Sequence, residues 1–147
     1  MGLGLWKWYE ARAAATLSVA RSAFEAVAAA DGDGLRGWLA DRVAFDLNGV
    51  TTLVGPDAVV RAVSETGAVM PSGHGVVCGV AAWGSVAVAD LEREVQGAEG
   101  RVVLVRERLA LRVRRRRVVW LRSSPRGVWS DPVPPTTHEL WETTHDG

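Results

Sequence analysis

The chain has 147 residues, which fits one globular domain and leaves little room for a second. Apolar residues make up 48% and charged residues 23%, which excludes a disordered chain, a collagen-like repeat and a disulfide-rich scaffold. Seventeen basic and seventeen acidic residues cancel, so no overall field attracts nucleic acid or acidic lipid. A single cysteine, Cys78, excludes an intramolecular disulfide and a multi-cysteine metal site.

The longest stretch of low polarity lies in residues 11–30. Arg12, Arg21 and Glu25 interrupt it, so it is too polar for a membrane span or a signal peptide. We therefore expect a cytoplasmic protein with no membrane partner.

The first half of the chain predicts helices and one strand. Apolar residues recur at helical spacing over residues 13–30, and the Asp-Gly-Asp-Gly sequence at 31–34 ends that helix and begins another through Leu39. Alternation over residues 43–47 predicts a strand, and Pro56 opens a third helix. The aromatic residues 1–10 show no helical or strand period.

The second half predicts a sheet. Strand-like runs cover residues 74–83, 85–96, 101–113 and 118–123, and their spacing favours an antiparallel meander. From Pro125 onward, proline, threonine and serine predict an irregular tail. Helices followed by long strands indicate an α+β protein, in which a curved sheet can wrap the first helix around a cavity.

Three segments carry a family resemblance: residues 26–41 (AVAAADGDGLRGWLAD), 43–49 (VAFDLNG) and 55–60 (GPDAVV). They resemble the opening of SnoaL-like proteins of the nuclear-transport-factor-two-like superfamily, and RVVWLR at 117–122 resembles the closing hairpin. The resemblance covers residues 13–124, leaving an aromatic N-terminal segment at 1–12 and a Pro-rich tail at 125–147.

The resemblance implies a cone-shaped barrel, a cystatin-like α+β roll in which a curved antiparallel sheet wraps the long N-terminal helix. It also implies a deep apolar pocket and a homodimer formed through the outer face of the sheet. Members of the family include polyketide cyclases, ketosteroid isomerases, epoxide hydrolases and non-catalytic binding modules, so the chemistry depends on the residues in the pocket.

The ketosteroid isomerase pattern is absent from this sequence. Aligned on Asp41, the family's helix tyrosine falls at Ala23 and its base aspartate at Leu47, and its oxyanion-hole aspartate falls at Leu109. Only Asp46, one residue from the base position, could replace the base, and a register shift would be needed to turn it inward.

Strand alternation singles out Glu107 as a carboxylate on an otherwise apolar face that it shares with Val105 and Leu109. If the preceding hairpin folds over residues 97–100, Arg93 lies opposite or diagonal to Glu107. The pair could hold a water or an oxyanion as catalytic groups, or it could be a buried structural ion pair. His74 is the candidate second proton carrier, or a residue on the rim.

The implied pocket would be lined by eight apolar residues: Phe24, Trp38, Phe45, Leu47, Leu91, Val105, Leu109 and Leu121. Its ligand would be a small apolar molecule. We expect no cofactor and no metal, because the three histidines are scattered without ligand spacing.

The four consecutive arginines 114–117 predict a charged hairpin tip. They could bind phosphate, but no aromatic side chain for base stacking accompanies them in the sequence. Nucleic acid is therefore not an expected partner. On the outer face, Arg106, Arg108 and Arg112 are expected to meet the acidic residues 90, 92 and 94 in cross-strand salt bridges or a dimer interface.

These features predict a protein with a small-molecule pocket. The leading function is cyclisation, isomerisation or hydrolysis by acid/base chemistry on an apolar substrate of the secondary-metabolite type. The alternative is a non-catalytic ligand-binding or dimerisation module of the same fold.

Overall fold

The computed structural model describes residues 2–70 and 73–130. The helices are α1 (Gly2–Ala28), α2 (Gly32–Arg36) and α3 (Pro56–Thr66). The strands are β1 (Leu39–Leu47), β2 (Thr51–Val54), β3 (Val76–Trp83), β4 (Val86–Gln96), β5 (Val102–Arg114) and β6 (Arg117–Ser130).

The six strands form one unclosed sheet in the order β2-β1-β6-β5-β4-β3. The expected antiparallel meander is present from β3 to β6, but β1 pairs with β6 in parallel, so the sheet is mixed. Strand β2 was not predicted. It has only four residues and little buried surface, so it carries no alternation of apolar and polar side chains.

Helix α1 packs across the inner face of β3, β4 and β5, and a hydrogen bond fixes it at each end of β3. The Thr16 hydroxyl donates to the carbonyl oxygen of Gly84 at 2.6 Å, and the Gly75 amide donates to that of Ala28 at 2.7 Å. Between these points, alanines 20, 23 and 28 and Phe24 are buried against the sheet. The α+β cone expected from the sequence is confirmed.

Helix α1 begins at Gly2, although the sequence of residues 1–10 shows no helical period. Its first three turns precede Thr16 and therefore extend past the Gly84 end of the sheet. Trp6 and Trp8 are 63% and 52% exposed on this extension. No strand packs against these first turns of α1. Because no face of the helix is buried there, the sequence shows no apolar stripe.

Strand β6 continues to Ser130, so the expected irregular tail does not begin at Pro125; residues 131–147 lie outside the described part of the chain. Pro125 is tolerated because β1 ends opposite Ser123, which leaves β6 with an open edge beyond that point. Pro125 pairs with Glu107 and Gly127 with Arg106, so residue 126 forms a bulge in β6.

The β5–β6 turn is built from Arg115 and Arg116, at φ +52° and +63°. Both residues therefore occupy the left-handed region, which costs a non-glycine residue about 1 kcal/mol or more. The Val118 amide donates to the carbonyl oxygen of Trp38 at 2.7 Å, which ties the start of β6 to the segment between α2 and β1.

None of the helices in the described part of the chain is long and apolar enough to cross a membrane.

Candidate functional site

Glu107 and Arg93 form an ion pair on the inner face of the sheet. In the β4–β5 ladder Glu107 faces Leu91 and Arg93 faces Val105, so the pair is diagonal. Arg93 Nη2 donates to Glu107 Oε1 at 2.6 Å, and the two side chains are only 11% and 13% exposed. The juxtaposition expected from strand alternation is present.

Ser123 completes the environment of the carboxylate. It faces Leu109 on β6, and its hydroxyl donates to Glu107 Oε2 at 3.1 Å. Each carboxylate oxygen therefore accepts one hydrogen bond, which fixes the orientation of the group. Ser123 was not predicted as a site residue, although its place two residues after Leu121 puts both on the same face of β6.

A cleft of about 190 Å³ opens beside this carboxylate. It forms where β1 ends, because the chain turns away at Asn48, whose amide donates to the carbonyl oxygen of Ser123 at 2.8 Å. Beyond that point β6 has no neighbouring strand on the β1 side. The lining residues are Leu47, Asn48, Glu107, Ser123 and Pro125.

Arg93 is held tightly from the side of β3. A Cβ atom added to Gly75 would lie 2.7 Å from the carbonyl oxygen of Glu92 and 3.0 Å from Arg93 Cβ, so glycine is needed for this close approach. Nη1 of Arg93 is buried and has no hydrogen-bond partner among the described residues. The two N–H donors on Nη1 are therefore left unmatched beside the ion pair.

His74 is exposed and lies two residues before β3, so it does not open the strand as the sequence predicted. It does not line the cleft beside Glu107. Its role as a second proton carrier stays a prediction.

The eight residues expected to line the pocket fall into two groups. Five belong to the packed core and are buried: Phe24, Phe45, Leu91, Leu109 and Leu121. Of the others, Leu47 lines the cleft, Val105 is half-buried beside Arg93 in the ladder, and Trp38 lies at the Arg115 end of the molecule. Contact of a ligand with the five core residues stays a prediction.

Asp46 faces away from the interior. Its neighbours Phe45 and Leu47 point inward, and its own carboxylate accepts the Gly49 amide at 2.7 Å and lies 3.7 Å from Arg122 Nε. It therefore does not take the place of the missing isomerase base.

The outer face of β4 and β5 carries two of the expected cross-strand salt bridges, and among the described residues Arg112 and Glu94 form none. Arg106 pairs with Glu92 at 2.5 Å and Arg108 with Asp90 at 3.2 Å. All four side chains are at least one-third exposed, so each pair contributes little to stability. The dimer interface expected on this face stays a prediction.

A carboxylate held beside a guanidinium is a combination of groups suited to general acid/base chemistry. An ionised carboxylate acts as a base toward water or an activated C–H bond, and the adjacent guanidinium stabilises negative charge that develops nearby. No three His, Cys, Asp or Glu side chains converge on a metal-binding geometry anywhere in residues 2–70 and 73–130.

No protein-family model and no curated protein matches this sequence. Solved structures do match it. A protein assigned as a SnoaL-like polyketide cyclase from Jannaschia sp. CCS1 is 13% identical, with 78% of this chain and 87% of that chain covered and a TM-score of 0.68.

A protein assigned as a ketosteroid isomerase from Kribbella flavida is 17% identical, with 83% and 84% of the two chains covered and a TM-score of 0.65. An LEH-like epoxide hydrolase from M. tuberculosis is 12% identical, with 78% and 84% covered and a TM-score of 0.63. At these identities the likeness concerns the fold. The fold that the resemblance implied is thereby confirmed: this chain shares its fold with these solved structures.

Proposed function

We propose that this protein binds a small, largely apolar molecule at the Glu107 cleft and transfers a proton on it, as a cofactor-independent cyclase, isomerase or hydrolase. One observation carries the proposal: a carboxylate held by Arg93 and Ser123 lines a cleft on the inner face of the sheet. The solved structures of this fold include proteins named for all three reaction classes, which supports the range of chemistry considered.

Each polar residue has a distinct role in this proposal. Glu107 is the catalytic base, which takes a proton from the substrate or from a water in the cleft. Arg93 stabilises the negative charge that develops nearby during the reaction, and Ser123 orients the Glu107 carboxylate. His74 is outside this group, and a part in returning the proton needs its own test.

The position of Leu47 explains how Glu107 could act without the isomerase aspartate. The family resemblance places that aspartate at residue 47, and here Leu47 lines the same cleft as Glu107. A carboxylate on β5 therefore reaches the space that the missing carboxylate on β1 would serve. The leucine makes one wall of the cleft apolar, which favours an apolar substrate.

The size of the cleft limits what enters it. Ligand pockets usually measure roughly 300–1,000 Å³, and this cleft measures about 190 Å³. It accommodates a small molecule, or the reacting end of a larger one whose remainder lies over the open edge of β6.

A non-catalytic module is the second candidate, and one observation favours it. The interior of the cone is filled, because Phe24, Leu91 and Leu109 are buried without measurable exposure. In that case the ion pair is structural and the outer sheet face would serve as the homodimer interface.

Proton transfer to solvent distinguishes the two candidates without knowledge of the natural substrate. The protein is incubated with 1-tetralone in D₂O, and deuterium uptake next to the carbonyl group is followed by NMR; hydrolysis of styrene oxide is measured in parallel. The wild type is expected to accelerate at least one reaction, and Glu107→Gln, which keeps the size of the side chain but removes its charge and basicity, is expected to lose that acceleration.

Glu94→Gln is the matched control, because Glu94 is an exposed glutamate on the neighbouring strand and is separate from the cleft. Acceleration that survives Glu107→Gln would refute the assigned base. Shifts of the Leu47 and Ser123 resonances with tetralone but no reaction would support the non-catalytic module. With neither shifts nor reaction, the cleft is not a site for molecules of this class.

A further inference from the structure

The tip of the β5–β6 hairpin presents four arginines without carboxylate partners. Residues 114–117 are all exposed, and none forms an ion pair within residues 2–70 and 73–130. Elsewhere on the sheet, Arg93, Arg108 and Arg122 are paired with carboxylates. The charge of this tip is therefore available to an external anion.

The backbone of the turn is poorly suited to arginine. A two-residue hairpin turn with positive φ at both positions favours Asn-Gly, and here Arg115 and Arg116 occupy those positions. The first hairpin of the protein uses the favoured pair, with Asn48 at φ +57° and Gly49 at +70°. Strain of this kind points to a function for the side chains that cause it.

Two neighbouring grooves share this tip, since Arg115 and Arg117 line both. One, of about 840 Å³, also includes Arg36, Arg114 and Asp41. The other, of about 540 Å³, also includes Arg116 and the half-buried indole of Trp38.

The expectation that no aromatic group accompanies the arginines was therefore wrong. The hydrogen bond from the Val118 amide to the carbonyl oxygen of Trp38 brings the indole beside the hairpin from a distant part of the sequence.

We propose that this tip binds a small polyphosphate that carries a flat ring, the chemistry of a nucleoside triphosphate. Guanidinium groups bind phosphate through paired hydrogen bonds, and the indole of Trp38 offers a surface for stacking of the ring. The ligand is short, because Asp41 lies in the larger groove and Asp57 already pairs with Arg36 at 2.6 Å. A long polyanion would meet these carboxylates.

This site is separate from the Glu107 cleft. Glu107 and Arg114 are seven positions apart on β5, which corresponds to about 23 Å along an extended strand. Ligand binding at the tip is therefore independent of the proposed catalytic function. Glu107→Gln is expected to leave the affinity of the tip for its ligand unchanged.

Calorimetric titration of the full chain with ATP, inorganic tripolyphosphate, adenosine and a single-stranded oligonucleotide tests the proposal. ATP is expected to bind more tightly than tripolyphosphate, and adenosine most weakly. The double variant Arg115→Asn/Arg116→Gly suits the turn and removes two charges, so it is expected to remain folded and to weaken ATP binding by about tenfold or more.

Two sets of variants test whether ATP affinity depends on these particular arginines and on the Trp38 ring. Arg101→Gln/Arg112→Gln removes two exposed arginines elsewhere and is expected to retain ATP affinity. Trp38→Leu is expected to reduce ATP affinity to that of tripolyphosphate, whereas Trp38→Phe keeps a flat ring and preserves most of the difference.

Absence of ATP binding, or equal loss in the control double variant, would overturn the site. Equal affinity for ATP and tripolyphosphate in the wild type would overturn the stacking role of Trp38. An oligonucleotide that binds far more tightly than ATP would overturn the small ligand and identify a nucleic-acid surface instead.

Discussion

Arg93 and Glu107 meet at 2.6 Å although neither is the direct partner of the other in the β4–β5 ladder. The pair runs diagonally across the inner face, a separation that long side chains can span. Both groups are nearly nine-tenths buried, so each charge depends on the other for the interactions it would otherwise make with water.

Removing one member of this pair is expected to destabilise the fold. Glu107→Leu leaves the Arg93 guanidinium buried without a counter-charge, and the free energy of unfolding should fall by about 3 kcal/mol. The double variant Arg93→Met/Glu107→Leu removes both charges and should recover most of that loss. Urea unfolding of the wild type, both single variants and the double variant measures the effect. Greater stability of Glu107→Leu than of the wild type would show that the carboxylate is not held by Arg93.

Ser123→Ala is expected to have a smaller effect. It removes one hydrogen bond to the Glu107 carboxylate, and the free energy of unfolding should fall by about 1 kcal/mol. Ser124→Ala is the control, because the next serine makes no side-chain hydrogen bond with a described residue. Thermal unfolding compares the two variants, and equal losses would argue against the bond from Ser123.

The ion pairs on the outer face should be weak. A double-mutant cycle on Asp90 and Arg108 is expected to give a coupling energy below about 1 kcal/mol that falls further in high salt, because both side chains are solvated. The same cycle on Arg93 and Glu107 should give a larger coupling with less dependence on salt. Similar couplings for the two pairs would mean that burial does not distinguish them.

Exchange of the turn residues should raise stability. Arg115→Asn/Arg116→Gly places the favoured residues at two positive-φ positions, and the free energy of unfolding should increase by about 1 kcal/mol or more. The reverse exchange, Asn48→Arg/Gly49→Arg in the first hairpin, should lower it. Denaturant unfolding of both variants tests the strain, and a loss of stability in the first would disprove it.

Two glycine substitutions should change the stability of the protein in opposite directions. Gly75→Ala pushes a methyl group against the Glu92 carbonyl and Arg93, so it should lower the melting temperature and disturb the ion pair. Gly4→Ala meets no atom within 4 Å on helix α1, so it should raise stability by up to about 1 kcal/mol. Calorimetric melting measures both changes, and a neutral Gly75→Ala would show that β3 can move away from β4.

The inner face of the sheet could be predicted because burial imposes a period of two. Leu109, Leu111 and Glu107 share that face in the structure as they do in the sequence pattern. The first turns of α1 could not be predicted in this way. Trp6 and Trp8 extend beyond the sheet, and because no face of the helix is buried there, the apolar residues follow no helical period.

Contacts between distant segments were beyond the sequence pattern. The cleft depends on where β1 ends against Ser123, and the place of Trp38 depends on a hydrogen bond to Val118. Both follow from the parallel pairing of β1 with β6. These strands are far apart in the sequence, so no turn motif between them predicts the pairing. The candidate proton-transfer pair was therefore predictable, whereas the shape of its cleft and the groove beside the arginines were not.

The parallel pairing of β1 with β6 also sets an order for folding during synthesis. Strands β3, β4 and β5 can pack on α1 as soon as they leave the ribosome, but the β1–β2 hairpin cannot join the rest of the sheet until residues 117–123 emerge. Phe45, which is buried in the finished protein, remains without its β6 partner Leu121 until then. A chain stopped after Arg116 should therefore be cleaved by protease within residues 39–54, whereas a chain that extends through β6 should protect them.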